Sequence, residues 1–140
     1  MARRADLEWL ACRAEMMTPH FSEKELTCKC GCGMLPSLAF VQRIERLRVE
    51  LGFPMPVSSG ARCPKYNALV SSSGEEGPHT TGNASDFLIS RAPANKLLKL
   101  ALINGFTGIG IKQHGSSRFI HLDTLDNGPG CPRPTIWSYP

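Results

Sequence analysis

No run of apolar residues in this 140-residue chain approaches the ~20 that a membrane-spanning helix needs, which excludes insertion by that route. The start of the chain also lacks an apolar core. In M-A-R-R-A-D-L-E-W-L-A-C-R, Asp6, Glu8 and Arg13 interrupt what a signal peptide would keep apolar, so synthesis and residence in a cytoplasm are expected. Charge of one sign is not concentrated. The formal net charge is +4, and Lys and Arg are scattered except at Arg43, Arg46 and Arg48, which share a predicted helix with Glu45 and Glu50. That pattern reads as a solvated mixed-charge face rather than a nucleic-acid patch. There is no internal repeat.

What is present is the composition of a soluble globular protein, 41% hydrophobic and 20% charged, at a length that suits one core. Leu7, Leu10, Ala11 and Ala14 are spaced for an N-terminal helix over about 3–16. The expected division is a helical extension, 1–17, and one domain, 18–140. Ser22 followed by Glu25 is a capping box for a short helical turn, pinned by Phe21 and Leu26. Leu38, Val41, Ile44, Leu47 and Leu51 predict an amphipathic helix that Gly52 closes and Pro54 and Pro56 keep from continuing. Further on, the pattern predicts a β segment over 57–60, a helix opening at Pro64 and a strand over 84–90. A helix over about 93–104 follows, with Leu97, Leu98, Ala101 and Leu102 as its buried stripe, and then a hairpin of 108–112 with 118–123. Trp137 and Tyr139 are expected to fold back as aromatic packing. Helices first, then strands interleaved with helices on short connections, predict an α+β domain: a small antiparallel sheet with flanking helices.

The cysteines are Cys12, Cys28, Cys30, Cys32, Cys63 and Cys131. An even count would suggest disulfides in a secreted protein, but three of them alternate within five residues. In an extended segment Cys30 would face away from Cys28 and Cys32, whereas a turn at Gly31 would gather them. Two readings follow: a structural metal site of Cys28, Cys30 and Cys32 completed by Cys63, or reduced thiols packing a Gly-rich turn.

The densest chemistry lies in G-P-H-T-T-G-N-A-S-D, Gly77 to Asp86, and F-I-H-L-D, Phe119 to Asp123. A zinc site that does chemistry takes three ligands from His, Asp or Glu and keeps a fourth position open. His79, Asp86 and His121 would supply that set, with Gly82 turning the chain between the first two. His20 and His114 match no such pattern and read as exposed.

In order and spacing these stretches, with S-G-A-R at Ser59 to Arg62, resemble the zinc D-alanyl-D-alanine carboxypeptidase family. That family belongs to the metallopeptidase group that takes in vancomycin-resistance dipeptidases, phage L-alanyl-D-glutamate endolysins and the hedgehog signalling domain. F-S-E-K-E-L-T-C-K-C-G-C-G, V-S-S-G-A-R-C-P-K-Y-N, G-F-T-G-I-G-I and R-P-T-I-W-S-Y are similar to its compact phage and prophage branch. The resemblance implies a hedgehog-like fold, zinc on His79, Asp86 and His121, and Arg62 as the substrate anchor. Arg62 would grip a terminal carboxylate or the developing oxyanion.

Two positions depart from the pattern. Gly77 replaces a serine, and Arg118 stands where many relatives have an acid three before the last histidine. Asp123, on the same strand face as His121, is the candidate substitute for the general base; the alternative is that it orients His121. The implied function is hydrolysis of amide bonds in peptidoglycan stem peptides, as a carboxypeptidase or an endopeptidase of the endolysin kind. The setting would be the bacterial wall, reached through phage lysis or a virion. The rival is a non-catalytic, zinc-stabilised wall-binding or phage tail assembly module. A monomer is expected, with phage structural proteins as candidate partners and nucleic acid excluded.

Overall fold

A computed structural model describes residues 15–140. The helix expected over 3–16 lies outside these residues except at its end, where Met16 opens a strand. This β1 (Met16–Thr18) pairs with β2 (Phe21–Ser22), and Met17 packs on the core. Ser22 then caps α1 (Glu23–Leu26) through the expected reciprocal bonds with Glu25.

The predicted amphipathic helix is α2 (Leu38–Leu51), closed by Gly52 in the left-handed region at φ 73°. After β3 (Val57–Ser59) comes α3 (Pro64–Val70), with proline in its first turn and Cys63 as its N-cap. A 3₁₀ turn (Pro78–Thr81) leads into β4 (Ala84–Leu88), α4 (Arg91–Ile103), β5 (Gly108–Lys112), β6 (Phe119–Asp123) and β7 (Thr135–Ser138).

These elements build the expected α+β fold around a five-stranded sheet of order β3-β4-β6-β5-β7. The first three pairings are antiparallel, but β7 runs parallel to β5. The reason is topological. A chain returning after β6 runs antiparallel to β6, hence in the direction of β5, and it adds to the sheet at the β5 edge. The terminal aromatic segment therefore does more than pack: it completes the sheet.

Side-chain alternation divides the sheet by function. Phe87, Ile109, Ile120 and Leu122 join one cluster with Phe40, Val41, Ile44, Leu47 and Leu51 of α2 and Ala94, Leu97 and Ala101 of α4. Leu102, placed by its spacing in that stripe, is instead 60% exposed, because it falls at the stripe's margin in the last turn. The positions in between, Asp86, His121 and Asp123, point to the other face.

One residue ties the helical layer to that face. Ser37 Oγ accepts from Phe40 N–H as the N-cap of α2 and donates to Asn83 Oδ1 at 2.7 Å, while Ser37 N–H donates to Gly82 O at 2.9 Å. Gly82 and Asn83 form the bend between His79 and Asp86. Replacing Ser37 by Ala removes the cap and leaves Asn83 short of a donor. It is expected to destabilise the fold by about 1–2 kcal/mol, read as a lower urea midpoint at unchanged slope, with Ser116→Ala in the exposed hairpin loop neutral.

Candidate metal centre

Sheet register creates the site. Asp86 on β4 lies directly opposite His121 on β6, and His121 lies opposite Gly110 on β5, which in turn faces Trp137 on β7. His79 arrives from the 3₁₀ turn, whose exit requires the left-handed φ of 75° at Gly82. His79 Nε2 stands 3.3 Å and His121 Nδ1 2.9 Å from Asp86 Oδ1. All three side chains are buried, and their donor atoms lie within 4.8 Å of one another.

The far side of each imidazole is committed. His79 Nδ1 donates to Gly60 O at 2.8 Å, and His121 Nε2 donates to Asp123 Oδ2 at 2.8 Å. These partners hold the far nitrogen of each ring, so that His79 Nε2 and His121 Nδ1 are the nitrogens turned toward Asp86. Two neutral nitrogens and one carboxylate oxygen converging in this way are a donor set suited to a catalytic zinc ion, with outer partners that hold each ring.

The electrostatics agree. Burial would push Asp86 up, but the hydrogen bonds from His121 and His79 outweigh it and hold the carboxyl well below the usual range. Burial would likewise lower His121, yet its bonds to Asp123 and Asp86 raise it. Asp123 is 0% exposed. Against the upward push of burial, the bonds from His121 and Arg133 bring its pKa down to about 2.

Arg133 is the residue the sequence reading missed. Its Nε and Nη2 donate to Asp123 Oδ1 at 3.0 Å and Oδ2 at 2.8 Å, a two-pronged pairing, and Leu125 N–H adds a third donor at 3.3 Å. Asp123 is thus brought to the centre with both oxygens engaged, behind His121 rather than beside the converging donor atoms. The expectation that it takes the proton meets this obstacle: a base needs an oxygen within about 2.6–3.2 Å of the proton it removes.

Two glycines make this arrangement possible. A Cβ at Gly108 would lie 2.2 Å from the Asp123 carboxylate, and one at Gly110 would lie 2.7 Å from the Trp137 indole. Both positions face the site across β5, so G-I-G-I is a strand stripped of side chains on one face. Trp137 then packs on His121 with ring centroids 5.0 Å apart.

Arg62 reaches the same cleft. Its Nη1 donates to Asn67 Oδ1 at 3.2 Å, and its Nη2 stands 3.8 Å from Asp86 Oδ2. Gly77, which replaces a serine, sits where a Cβ would be 2.3 Å from Ser73 Oγ, so a neighbouring serine hydroxyl fills the space. Arg118 shares the Ile120 face of β6 and donates to Gly115 O, away from the metal donors. His20 and His114 are exposed, as read. A cleft of about 310 Å³ is lined by Arg62, His79, Asp86, His121, Trp137 and Tyr139. It adjoins a groove of about 790 Å³ that shares Ser73, Pro78 and Trp137 with it.

A buried histidine-aspartate-histidine cradle, open to a cleft and faced by a fixed arginine, defines a metallohydrolase. More particularly, this chain belongs to the peptidase M15 family, whose sequence profile matches residues 19–123, and so to the zinc metallopeptidases of the D-alanyl-D-alanine carboxypeptidase type. No curated protein sequence matches it. The match ends at Asp123, so Arg133 and Trp137 lie beyond the matched residues.

Gly108→Ala forces a methyl group against the Asp123 carboxylate, and a loss of about 1–3 kcal/mol in stability together with weaker zinc binding is expected. Gly128→Ala, with nothing within 4 Å of the added carbon, is expected to leave both unchanged in paired denaturation and metal titrations.

Proposed function

We propose that this protein is a zinc-dependent peptidase that hydrolyses amide bonds in the stem peptides of peptidoglycan. The observation that carries the reading is the convergence of His79 Nε2, Asp86 Oδ1 and His121 Nδ1 in a cleft that also receives Arg62. Zinc held by these three residues supplies Lewis acidity toward a carbonyl oxygen and acidifies water toward a pKa of ~7.

The chain's own groups do the rest. Arg62, steadied by Asn67, presents a planar, permanently charged fork to a substrate carboxylate or to the negative charge that develops on the scissile carbonyl. Asp123, neutralised by Arg133, holds the Nε2 proton of His121 and keeps its Nδ1 lone pair on the ligand side. We assign it as a positioning residue. The adjoining groove, with Trp137 at its junction with the cleft, has room for peptide on the far side of the cut bond, which suits an endopeptidase as well as removal of a terminal D-alanine. The resemblance to compact phage peptidases supports action on the wall during phage lysis or from a virion, with phage structural proteins as partners.

A second reading, a zinc-stabilised wall-binding or tail assembly module without turnover, draws on one observation. Arg118 replaces the acid of many relatives, and Asp123 is tied to Arg133.

Mass spectrometry of defined muropeptides separates the two. Loss of one D-alanine, or a cut within the stem or cross-link, is expected with zinc-loaded protein and is expected to disappear with chelator or in His121→Ala. No cleavage by protein shown to carry zinc would overturn the peptidase reading in favour of the binding module.

Asp123→Asn tests the positioning role. It is expected to weaken zinc affinity about 10–100-fold, with hydrolysis largely restored by saturating zinc. A general base would instead show a loss of about 10²–10⁴-fold that zinc does not rescue.

A further inference from the structure

The peptidase reading leaves the cysteines unused. Among the described residues Cys28, Cys30, Cys32, Cys63 and Cys131 are all free thiols, and four of them form a second cluster: the sulfurs of Cys28, Cys30, Cys32 and Cys63 lie within 4.8 Å of one another. Cys28 Sγ is 3.5 Å from Cys30 Sγ, which is 3.7 Å from Cys63 Sγ. A tetrahedral zinc ion with Zn–S bonds of about 2.3 Å sets its sulfurs about 3.8 Å apart. The observed separations are those of ligands around an ion.

We infer that Cys28, Cys30, Cys32 and Cys63 form a second, structural zinc site, closed by four thiolates and separate from the histidine-aspartate centre. The backbone is arranged for it. Gly31 and Gly33 take the left-handed region at φ 87° and 85°, which coils C-K-C-G-C-G so that alternating cysteines gather rather than point to opposite faces. Cys63 N–H donates to Cys28 Sγ at 3.3 Å and Tyr66 N–H to Cys63 Sγ at 3.4 Å, so backbone donors hold two of the four sulfurs in place.

The site also has structural work to do. Residues 29–35 bury no side chain, so the loop has no apolar anchor of its own. Cys63 follows Arg62 directly and caps α3, which carries Asn67, the partner of Arg62. An ion across the four sulfurs would clamp the 28–32 loop to the segment that presents Arg62. A closed tetrathiolate site leaves no position for substrate, so its role is to hold structure.

The experiment is metal counting with cobalt spectroscopy on the full chain. Purified protein is expected to hold about two zinc ions and His121→Ala about one, and the cobalt-substituted forms of both are expected to show thiolate-to-cobalt charge-transfer absorption. The double variant Cys28→Ser/Cys63→Ser is expected to lose that absorption while keeping about one ion, and Cys131→Ser to keep both signals. Wild-type protein with a single ion and no thiolate band overturns the proposal, as do disulfides among the four cysteines or full reaction of their thiols in the zinc-loaded native protein. The wild-type spectrum decides the matter even if the double variant fails to fold. Because His121→Ala empties only the histidine-aspartate centre, failure here and failure of the peptidase reading are distinguishable.

Discussion

His121 is held between two carboxylates, and the rest of the molecule is arranged to keep it there. Its Nδ1 meets Asp86 and its Nε2 meets Asp123, both within hydrogen-bonding distance and both almost out of water. Two buried negative charges that close to one ring would be costly unless each had its own compensation. Asp123 has Arg133, in a two-pronged pairing, and Asp86 has Arg62 nearby with His79 against it. The asymmetry matters. Asp123 is neutralised permanently within the fold, whereas Asp86 is satisfied only by groups that a metal ion would replace or rearrange. One carboxylate is therefore structural in character and the other is available as a ligand.

That constraint propagates through the sheet. Register places Asp86 and His121 opposite each other, and a slip of one residue would turn both into the core while turning Phe87, Ile120 and Leu122 out. The hydrophobic layer on α2 and α4 thus holds the metal donors in place without touching them. Gly108 and Gly110 give up side chains so that Asp123 and Trp137 can close over β5. The parallel edge strand β7 brings Trp137 to the ring of His121, and Arg133 lies in the return that leads to it.

The three metal donors and Arg62 were legible because each is a chemically rare residue in a tight local motif: His79 and Asp86 seven apart around Gly82, His121 within F-I-H-L-D, Arg62 after S-S-G. The amphipathic pattern of α2 and its glycine stop were legible for the same reason, since helix period and cap are local. Arg133 was not, because its importance comes from a partner ten positions back that only the return into β7 brings near. Nor was the purpose of G-I-G-I, which read as one strand of a hairpin although its glycines mark a close approach by side chains from neighbouring strands. Asp123 could be placed on the right face by alternation, but face alone does not say whether an oxygen is free.

The two halves of the centre are held by different means. Asp86, His121 and Asp123 sit on paired strands with a hydrophobic layer behind them, and backbone hydrogen bonds fix their spacing. His79 and Arg62 sit outside that frame, on a 3₁₀ turn and at the head of a seven-residue helix. What relates them is a short series of backbone contacts: Gly60 O to the His79 ring, Arg62 N–H to His79 O, and Ala61 N–H to Leu26 O. Gly60 lies so close to Leu26 that a Cβ would fall 2.3 Å from its carbonyl oxygen. The segment that presents the substrate-facing arginine is therefore only as fixed as the 26–34 region it leans on, which is anchored at Leu26 and Cys28 but buries no side chain over 29–34. Sulfur ligation at Cys28, Cys30, Cys32 and Cys63 would brace that region, the part of the site the sheet does not reach.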